Sequence, residues 1–302
     1  MDLRPAREDD SGTVAAFTRD TWPDRAVDDY LPDVFDRWVR EDGDHQRTFV
    51  LDAGDDVAGV VQGVMLSPYE GWAQGLRINP DYRGEGWGRD LTEAVFDWAR
   101  ERGATVVRNL VFSWNAPSLG LSRRVGFEPC TEIRWAHPPP DADAAPALDV
   151  ATDDANPDAA WRFWTESDAR MQLRGLVVAP GHSWALAELT RQRLHDAAVD
   201  GRLLVVRDGG TRGFAVRNRT VTRDWDGEER CAEYAVAAWA DPEAASALLA
   251  AVARDAASVD AARSRVPIPE TVGAVTDAAA AHGNPAENPE FVLSADLTGQ
   301  DR

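Results

Sequence analysis

The sequence predicts an α/β fold in which a mixed, mostly antiparallel sheet is flanked by helices. Three apolar segments, Arg47–Asp52, Val57–Leu66 and Trp72–Ile78, are separated by short turns, and short turns join antiparallel strands. A helical segment then leads to a fourth apolar strand at Val106–Phe112, and a helix between two strands indicates a parallel pair. A similar order of elements recurs in the second half, which predicts a duplicated fold.

The first elements close the core of this predicted fold. Leu3–Ala6 has the pattern of a short strand, and the acidic run Glu8–Ser11 is suited to capping a helix that continues through Phe17 to Trp22. The aromatic and apolar residues of Trp22–Trp38 predict a second helix packed on the core.

A glycine-rich turn separates the Trp72–Ile78 strand from an amphipathic helix. Its sequence is Arg83-Gly84-Glu85-Gly86-Trp87-Gly88. Glycine allows unusual backbone angles and close approach of a ligand, and the N-terminus of the helix presents unpaired N–H groups that favour a phosphate. The turn has neither the GK[ST] of a nucleoside triphosphate loop nor the dinucleotide pattern GxGxxG, which argues against a kinase or an ATPase.

A second signal occupies Val106–Pro129. After the buried strand come Asn115, a short helix from about Pro117 to Val125, and the pair Gly126-Phe127. Asn115 is either a polar contact for a ligand or a cap for this helix, because side chains of this type often accept a hydrogen bond from the first turn.

Together these two stretches resemble the GNAT family of N-acetyltransferases. Arg83, Gly86 and Gly88 match the Q/R-x-x-G-x-G/A pyrophosphate loop of that family, and Asn115 with Gly126-Phe127 matches its N-x-x-A…GF segment. The resemblance covers roughly 2–137. It implies an acetyl-CoA-dependent enzyme that transfers an acetyl group to the amine of a small molecule or a peptide. The alternative is a non-catalytic acyl-CoA-binding or scaffold protein with the same fold.

The resemblance also implies which residues bind the two substrates. The predicted acetyl-CoA contacts are Leu76, Arg77, Ile78, Arg83, Gly84, Glu85, Gly86, Trp87, Gly88 and Asn115. The predicted acceptor contacts are Trp22, Tyr30, Tyr69 and Trp72. For the segment 22–38, lining of the acceptor pocket is an alternative to a purely structural helix.

The groups that move protons are less clearly marked. Many family members have a tyrosine acid four residues before Gly-Phe, and Ser122 stands there. Ser122 either acts through water or faces solvent. Some members of the family carry a basic carboxylate early on the strand before the glycine turn, where Trp72 and Gln74 stand here. Alternation places Glu70 on the same face as these two residues, so Glu70 is the candidate base or, as a turn residue, is solvated. Asp20 and Asp24 are alternatives for the base.

Composition limits partners and compartment. The formal net charge of −20 disfavours nucleic acid and anionic lipid surfaces. Cys130 and Cys231 lack CxxC spacing and the five histidines are scattered, so we expect neither a disulfide framework nor a metal site. No apolar run reaches the ~18 residues that span a bilayer. We therefore expect a soluble, cytoplasmic protein, and a homodimer stays open.

The charge also predicts that the protein needs salt. The chain contains no lysine, and 52 acidic residues face 32 arginines, which indicates a halophilic protein or, alternatively, an acidic protein from a GC-rich genome. Acidic side chains repel one another over a Debye length of ~30 Å at 0.01 M salt. We expect the melting temperature to rise from low to molar salt, and a constant value would contradict the halophilic interpretation.

The sequence divides into an N-terminal domain at 1–137, a linker rich in Pro, Asp and Ala at 138–147, and a second domain at 148–302. The later elements are predicted as three strands, a helix, a strand, a helix and a final strand: Arg202–Arg207, Gly213–Val216, Cys231–Trp239, Pro242–Ala257, Arg263–Ile268, Thr271–His282 and Phe291–Leu297. Where the repeat should carry its glycine turn, Ala240–Ser246 has no glycine and no arginine. We therefore expect a degenerate domain that binds no acetyl-CoA, kept for packing or for recognition of the acceptor.

Overall fold

A computed structural model describes residues 1–19, 21–22, 29–224 and 228–299. Contacts between residues divide the described chain into two units. The first holds 1–111, 115–129 and 293–299, and the second holds 112–114 and 130–292. The end of the chain thus groups with the first unit, where the Leu297 N–H donates to the Thr105 carbonyl at 2.9 Å. The predicted domain boundaries, at 137 for the end of the first domain and at 148 for the start of the second, stay a prediction.

The first 136 residues form the predicted strands and helices, together with a strand at Glu128–Ala136 that was not predicted. In chain order they are β1 (Asp2–Pro5), a 3₁₀ turn (Glu8–Asp10), α1 (Ser11–Thr18), α2 (Leu31–Glu41), β2 (Gln46–Asp52), β3 (Val57–Met65), β4 (Glu70–Ile78), a 3₁₀ turn (Pro80–Tyr82), α3 (Trp87–Glu101), β5 (Val106–Phe112), α4 (Ala116–Arg124) and β6 (Glu128–Ala136). The predicted second helix exists, but it begins at Leu31, and 23–28 lie outside the described residues.

The sequence predicts the pairing of β2 with β3, of β3 with β4 and of β4 with β5, and the structure also pairs β1 with β2. β1 with β2, β2 with β3 and β3 with β4 are antiparallel, whereas β4 and β5 are parallel because α3 joins them. α3 buries Leu91, Val95 and Trp98 at helical spacing against one face of the sheet. Leu31 and Phe35 of α2 belong to a buried cluster with strand residues on the opposite face. The fold is therefore α/β with a mixed, mostly antiparallel sheet between helices.

The second unit contains further helices and strands. They are β7 (Asp149–Ala151), α5 (Pro157–Glu166), α6 (Asp168–Gln172), β8 (Leu176–Val178), β9 (Leu186–Glu188), α7 (Arg191–Val199), β10 (Leu203–Arg207), β11 (Thr211–Asp224), β12 (Glu228–Trp239), α8 (Pro242–Ser258), β13 (Arg263–Pro269) and α9 (Val272–Ala280), and the last strand of the chain is β14 (Glu290–Asp296).

The pairing order of the second unit follows that of the first. β7 with β10, β10 with β11 and β11 with β12 are antiparallel, and α8 then leads to β13, which is parallel to β12. α8 packs its alanines and leucines into the buried core of this unit. The hairpin of β8 and β9 and the helix α7 were not predicted. The shared order supports the predicted duplication, which stays a prediction.

Two properties of the described residues bear on partners. No helix among them combines the length and the apolar character that crossing a membrane requires. In the same residues, no group of three or more His, Cys, Asp and Glu side chains is arranged to hold a metal ion.

Candidate active site

The glycine-rich turn lies between the 3₁₀ turn at Pro80–Tyr82 and α3. Gly84 and Gly86 have φ of +89° and +93°, in the left-handed region that only glycine enters readily. A Cβ built on either residue would meet no atom within 4 Å. The backbone is therefore open to a ligand at the N-terminus of α3, a helix of 15 residues, where N–H groups lack intrahelical partners. This cradle fits a pyrophosphate.

The other residues of the turn differ in what they contact. Arg83 is exposed and its Nε donates to the Ile78 carbonyl at 3.3 Å, while Glu85 is exposed. The indole nitrogen of Trp87 is buried without an acceptor in the described structure. Gly88 is buried, and a Cβ on it would lie 2.7 Å from Leu121 Cδ2. Packing of α3 on α4 therefore explains Gly88, whose contact with acetyl-CoA stays a prediction.

β4 and β5 separate near the middle of β4. They pair at three positions only, ending at Trp72 and Arg108. Gly75, with φ of +69°, then lies in a bulge where β4 gains one residue relative to β3. Residues 76–78 therefore lie on a stretch of β4 that β5 does not pair with in the described structure. Their backbone is the edge predicted to bind the amides of the pantetheine arm.

α4 brings Ser122 toward β5. The Ser122 side chain is buried, with 6% of the residue exposed, and its Oγ accepts a hydrogen bond from Asn109 Nδ2 at 3.1 Å. The alternative in which Ser122 faces solvent is therefore wrong. Asn115 Oδ1 accepts the Ser118 N–H at 3.2 Å, so Asn115 caps α4, as one of the two alternatives predicted. Its contact with a ligand stays a prediction.

The Gly-Phe pair of the second motif anchors α4. Gly126 has φ of +99° and follows the end of the helix, as glycine commonly does. Phe127 is 1% exposed and packs edge-on against Phe96 of α3, with 5.2 Å between the ring centroids. The pair thus has a packing role that holds α4 beside α3.

Trp22 and Tyr30 lie beside the separated part of β4. The Arg77 guanidinium lies 4.8 Å from the centroid of the Trp22 ring and 5.7 Å from that of Tyr30, within the range of cation–π attraction. Its Nε donates to the buried Asp29 carboxylate at 2.6 Å, and Asp29 Oδ1 also accepts the Leu31 N–H at 3.1 Å. These contacts pack Trp22, Asp29 and Tyr30 against Arg77, and Asp29 is a residue that sequence reasoning missed. That this segment walls the acceptor pocket stays a prediction.

Glu70 lies at the paired end of β4. It is the first residue of the strand, not a turn residue, and is 2% exposed. Its carboxylate accepts hydrogen bonds from Arg108 Nη1 at 2.7 Å and from Ser67 Oγ at 2.9 Å. The eight residue steps from Glu70 to Ile78 span about 26 Å at ~3.3 Å per residue. The structure therefore does not bring Glu70 together with the glycine turn, and the alternative in which Glu70 is solvated is wrong.

Two predicted acceptor contacts lie near the same end of β4, one at the surface and one in the core. Tyr69 directly precedes β4 and is 41% exposed. Trp72 is 2% exposed, so its side chain belongs to the packed interior. Asp20 and Asp24, the alternative bases, lie outside the described residues.

The N-terminus of α8 in the second unit carries its own anion. Asp241 accepts the Ala244 N–H at 3.0 Å and pairs with Arg212 Nη2 at 2.5 Å. The hydrogen bonds from the Ala244 N–H and from Arg212 lower the pKa of the Asp241 carboxyl below its usual value, although burial acts in the opposite direction. The sequence placed no arginine beside this turn, whereas the fold supplies Arg212 from β11. That arginine is engaged by a carboxylate at the point where a pyrophosphate would lie.

The second unit also has a strand separation. Among the residues that the structure describes, β12 and β13 pair at three positions only. A cavity of ≈380 Å³ is lined by residues that include Trp239, Asp168 and Asp277. Trp239 Nε1 donates to Asp277 Oδ2 at 3.0 Å. Two carboxylates therefore line this cavity, which disfavours a phosphate.

An open glycine turn at a helix N-terminus thus lies beside separated parallel strands. Residues 13–127 match the Acetyltransferase (GNAT) family. The matched GNAT stretch contains every predicted acetyl-CoA contact from Leu76 to Asn115.

Individual relatives are similar over different shares of the chain. Streptothricin acetyltransferase from Streptomyces lavendulae is 40% identical over 95 residues, which are 30% of this chain and 48% of that protein. The chain therefore spans about half the length of this relative. Thialysine N-epsilon-acetyltransferase from Bos taurus is 24% identical over 151 residues, 45% of this chain and 88% of that protein.

A solved structure resembles the whole chain. The GCN5-related N-acetyltransferase from Sphaerobacter thermophilus has a TM-score of 0.64 at 16% identity, and the match covers 100% of this chain and 97% of that one. At this identity the likeness shows the fold, which agrees with the GNAT-like α/β fold predicted from the sequence.

Proposed function

We propose that this protein is an acetyl-CoA-dependent N-acetyltransferase that acts on the amine of a small molecule or a peptide. The observation that carries the proposal is the open backbone at Gly84 and Gly86, at the N-terminus of α3 and beside the separated part of β4. Streptothricin and thialysine are named as substrates of the two relatives, and they are suitable first acceptors to test.

Acetyl-CoA, when bound, supplies the thioester that the amine attacks. The N–H groups of α3 and the Arg83 guanidinium would hold its pyrophosphate, and the backbone of 76–78 would hold its pantetheine arm. The residues around Arg77 would orient the acceptor. The neutral amine forms the C–N bond as the C–S bond breaks, so one proton must leave the amine nitrogen and one must reach the thiolate.

Ser122 is the residue proposed to act near the leaving thiolate. A serine hydroxyl is a poor acid. A thiolate, whose thiol has a free pKa of ~8.5, is a tolerable leaving group without a general acid. We therefore expect Ser122→Ala to lower turnover by less than the ~100-fold that marks loss of a full general acid. Steady-state kinetics measure this change. Asn109→Ala is the companion variant, because it removes the hydrogen-bond donor to Ser122 and keeps the hydroxyl. A loss above that size would give the hydroxyl a direct role.

The second candidate is a protein that binds acyl-CoA without catalysis. It is favoured by the absence of tyrosine at 122 and by the engagement of Glu70 with Arg108. Release of free thiol from acetyl-CoA, measured with streptothricin, thialysine and a peptide with a free N-terminus in molar salt, separates the two. Thiol release that depends on an amine supports the enzyme. Binding of acetyl-CoA with no amine-dependent release supports the second candidate.

A further inference from the structure

A row of polar side chains crosses three strands of the first unit. Thr48 of β2 stands opposite Gln62 of β3, which stands opposite Gln74 of β4. Thr48 and Gln62 are 0% exposed, whereas Gln74 is half-buried. The row lies on the sheet face that α2 covers, because alternation puts Thr48 on the same face as Val50 of the α2 cluster. Buried amides are costly unless they are hydrogen-bonded.

The hydrogen bonds of this row run in one direction. Gln74 Nε2 donates to Gln62 Oε1 at 2.6 Å, and Gln62 Nε2 donates to Thr48 Oγ1 at 3.1 Å. The Thr48 hydroxyl donates to Asp42 Oδ1 at 3.1 Å, and Asp42 Oδ2 accepts the Thr48 N–H at 2.8 Å. Because an ionised carboxylate only accepts, Asp42 fixes the hydroxyl, and the hydroxyl fixes both amides in turn.

This direction determines where the carbonyl oxygen of Gln74 lies. The amide nitrogen is turned toward Gln62 on β3, so the oxygen is turned away from β3. On that side β5 has already separated from β4, since the pairing ends at Trp72. The next residue is Gly75 of the bulge, and a Cβ there would lie 2.7 Å from the Trp38 ring of α2. From this direction of hydrogen bonding, we expect the Gln74 carbonyl oxygen to face the strand separation, on the sheet face that α2 covers.

We propose that Gln74 binds the acceptor amine. Its carbonyl oxygen accepts a hydrogen bond from an amine N–H and thereby directs the nitrogen lone pair toward the acetyl carbon. Gln62, Thr48 and Asp42 are positioning residues that keep the Gln74 amide in one orientation. The assignment rests on the proposed acetyl transfer. A neutral oxygen selects by geometry and suits an acceptor that arrives as the neutral amine, which is the nucleophilic form.

Three variants test the assignment in the full-length protein. Gln74→Met removes the oxygen at similar volume, and Thr48→Val removes the hydroxyl that orients the row. The matched control is Gln46→Leu, because Gln46 of β2 donates to the Trp38 carbonyl at 3.0 Å and is not part of the row. Each is assayed with the best acceptor among streptothricin, thialysine and a peptide with a free N-terminus, and acetyl-CoA affinity is measured by calorimetry.

We expect Gln74→Met to lower kcat/KM for the amine by about tenfold, the upper size of one ordinary hydrogen bond, with acetyl-CoA affinity unchanged. Thr48→Val should act in the same direction to a smaller extent, and Gln46→Leu should match the wild type. An unchanged kcat/KM for the amine in Gln74→Met, or a parallel loss of acetyl-CoA affinity, overturns the assignment alone. A wild type that acetylates none of the amines overturns the proposed transfer and this assignment with it.

Discussion

Gly86→Val is expected to weaken acetyl-CoA binding by at least about 100-fold. Gly86 has φ of +93°, a conformation that costs a residue with a side chain roughly 1–2 kcal/mol and a β-branched residue more. Valine can relieve this strain only by changing the backbone of the turn, and the changed turn no longer presents its N–H groups to a pyrophosphate. Its methyl groups would also enter the space that is open in the wild type. Isothermal calorimetry measures the effect.

Gly54→Val is the matched control for strain. Gly54 has the same φ of +93° and the same open surroundings, but it lies in the turn between β2 and β3. Both variants should lose similar stability, and only Gly86→Val should lose affinity. Full affinity in a folded Gly86→Val protein would disprove the pyrophosphate assignment.

The same titration of the wild type should show one equivalent of bound acetyl-CoA. Two equivalents would contradict the prediction that the second unit has no cofactor site.

Glu70→Leu is expected to lower the free energy of unfolding by about 3–5 kcal/mol, the range for removal of one partner from a buried ion pair. The Glu70 and Arg108 side chains are 2% and 10% exposed and lie 2.7 Å apart, so the variant leaves a buried guanidinium deprived of this carboxylate. Urea denaturation gives the value. Glu93→Gln is the control, because it breaks the pair with Arg89, whose side chains are 49% and 65% exposed, and its midpoint should stay close to that of the wild type.

The same residue can be tested as a base with a milder change. Glu70→Gln keeps the shape of the side chain and the hydrogen bond with Ser67 while removing the negative charge. If Glu70 takes the proton of the amine, the acidic limb of the pH-rate profile must change in this variant. A profile that is unchanged in shape would remove Glu70 as the base and leave only its ion pair with Arg108.

Elements that repeat with a regular period were predictable from the sequence. The predicted strand Val106–Phe112 has those bounds in the structure, and the helix predicted from about Pro117 begins at Ala116. The β8 and β9 strands have three residues each, which is too short for an alternating pattern to be recognised. The sequence therefore identified the common fold but missed this hairpin and also β6 and α7, which have nine residues each.

In the site, features that depend on one residue were predictable and contacts between distant residues were not. Glycine permits the positive φ of Gly84, so its place in the turn is a signal that the sequence itself carries. The ion pair of Arg77 with Asp29 joins residues 48 positions apart, so no local pattern marks it. Gln74 meets Gln62 across the strands, close to the one-residue shift in register that follows. Polar residues within otherwise apolar strands are a sequence signal for that row, but they do not show which of its members pair.

The contact between Gly88 and Leu121 packs the two sequence motifs against each other, so that they move as one rigid unit. Because a Cβ at 88 would lie 2.7 Å from Leu121, the two positions share a fixed volume, and a larger residue at one requires a smaller residue at the other or a displaced helix. Among homologues, substitutions at these positions should therefore occur in pairs. A Cβ at 84 or 86 would meet no atom within 4 Å, so changes there need no compensating change at 121. Residues that contact the acceptor can then change during evolution while the packing of α3 on α4 keeps the distance between the glycine turn and Ser122 constant.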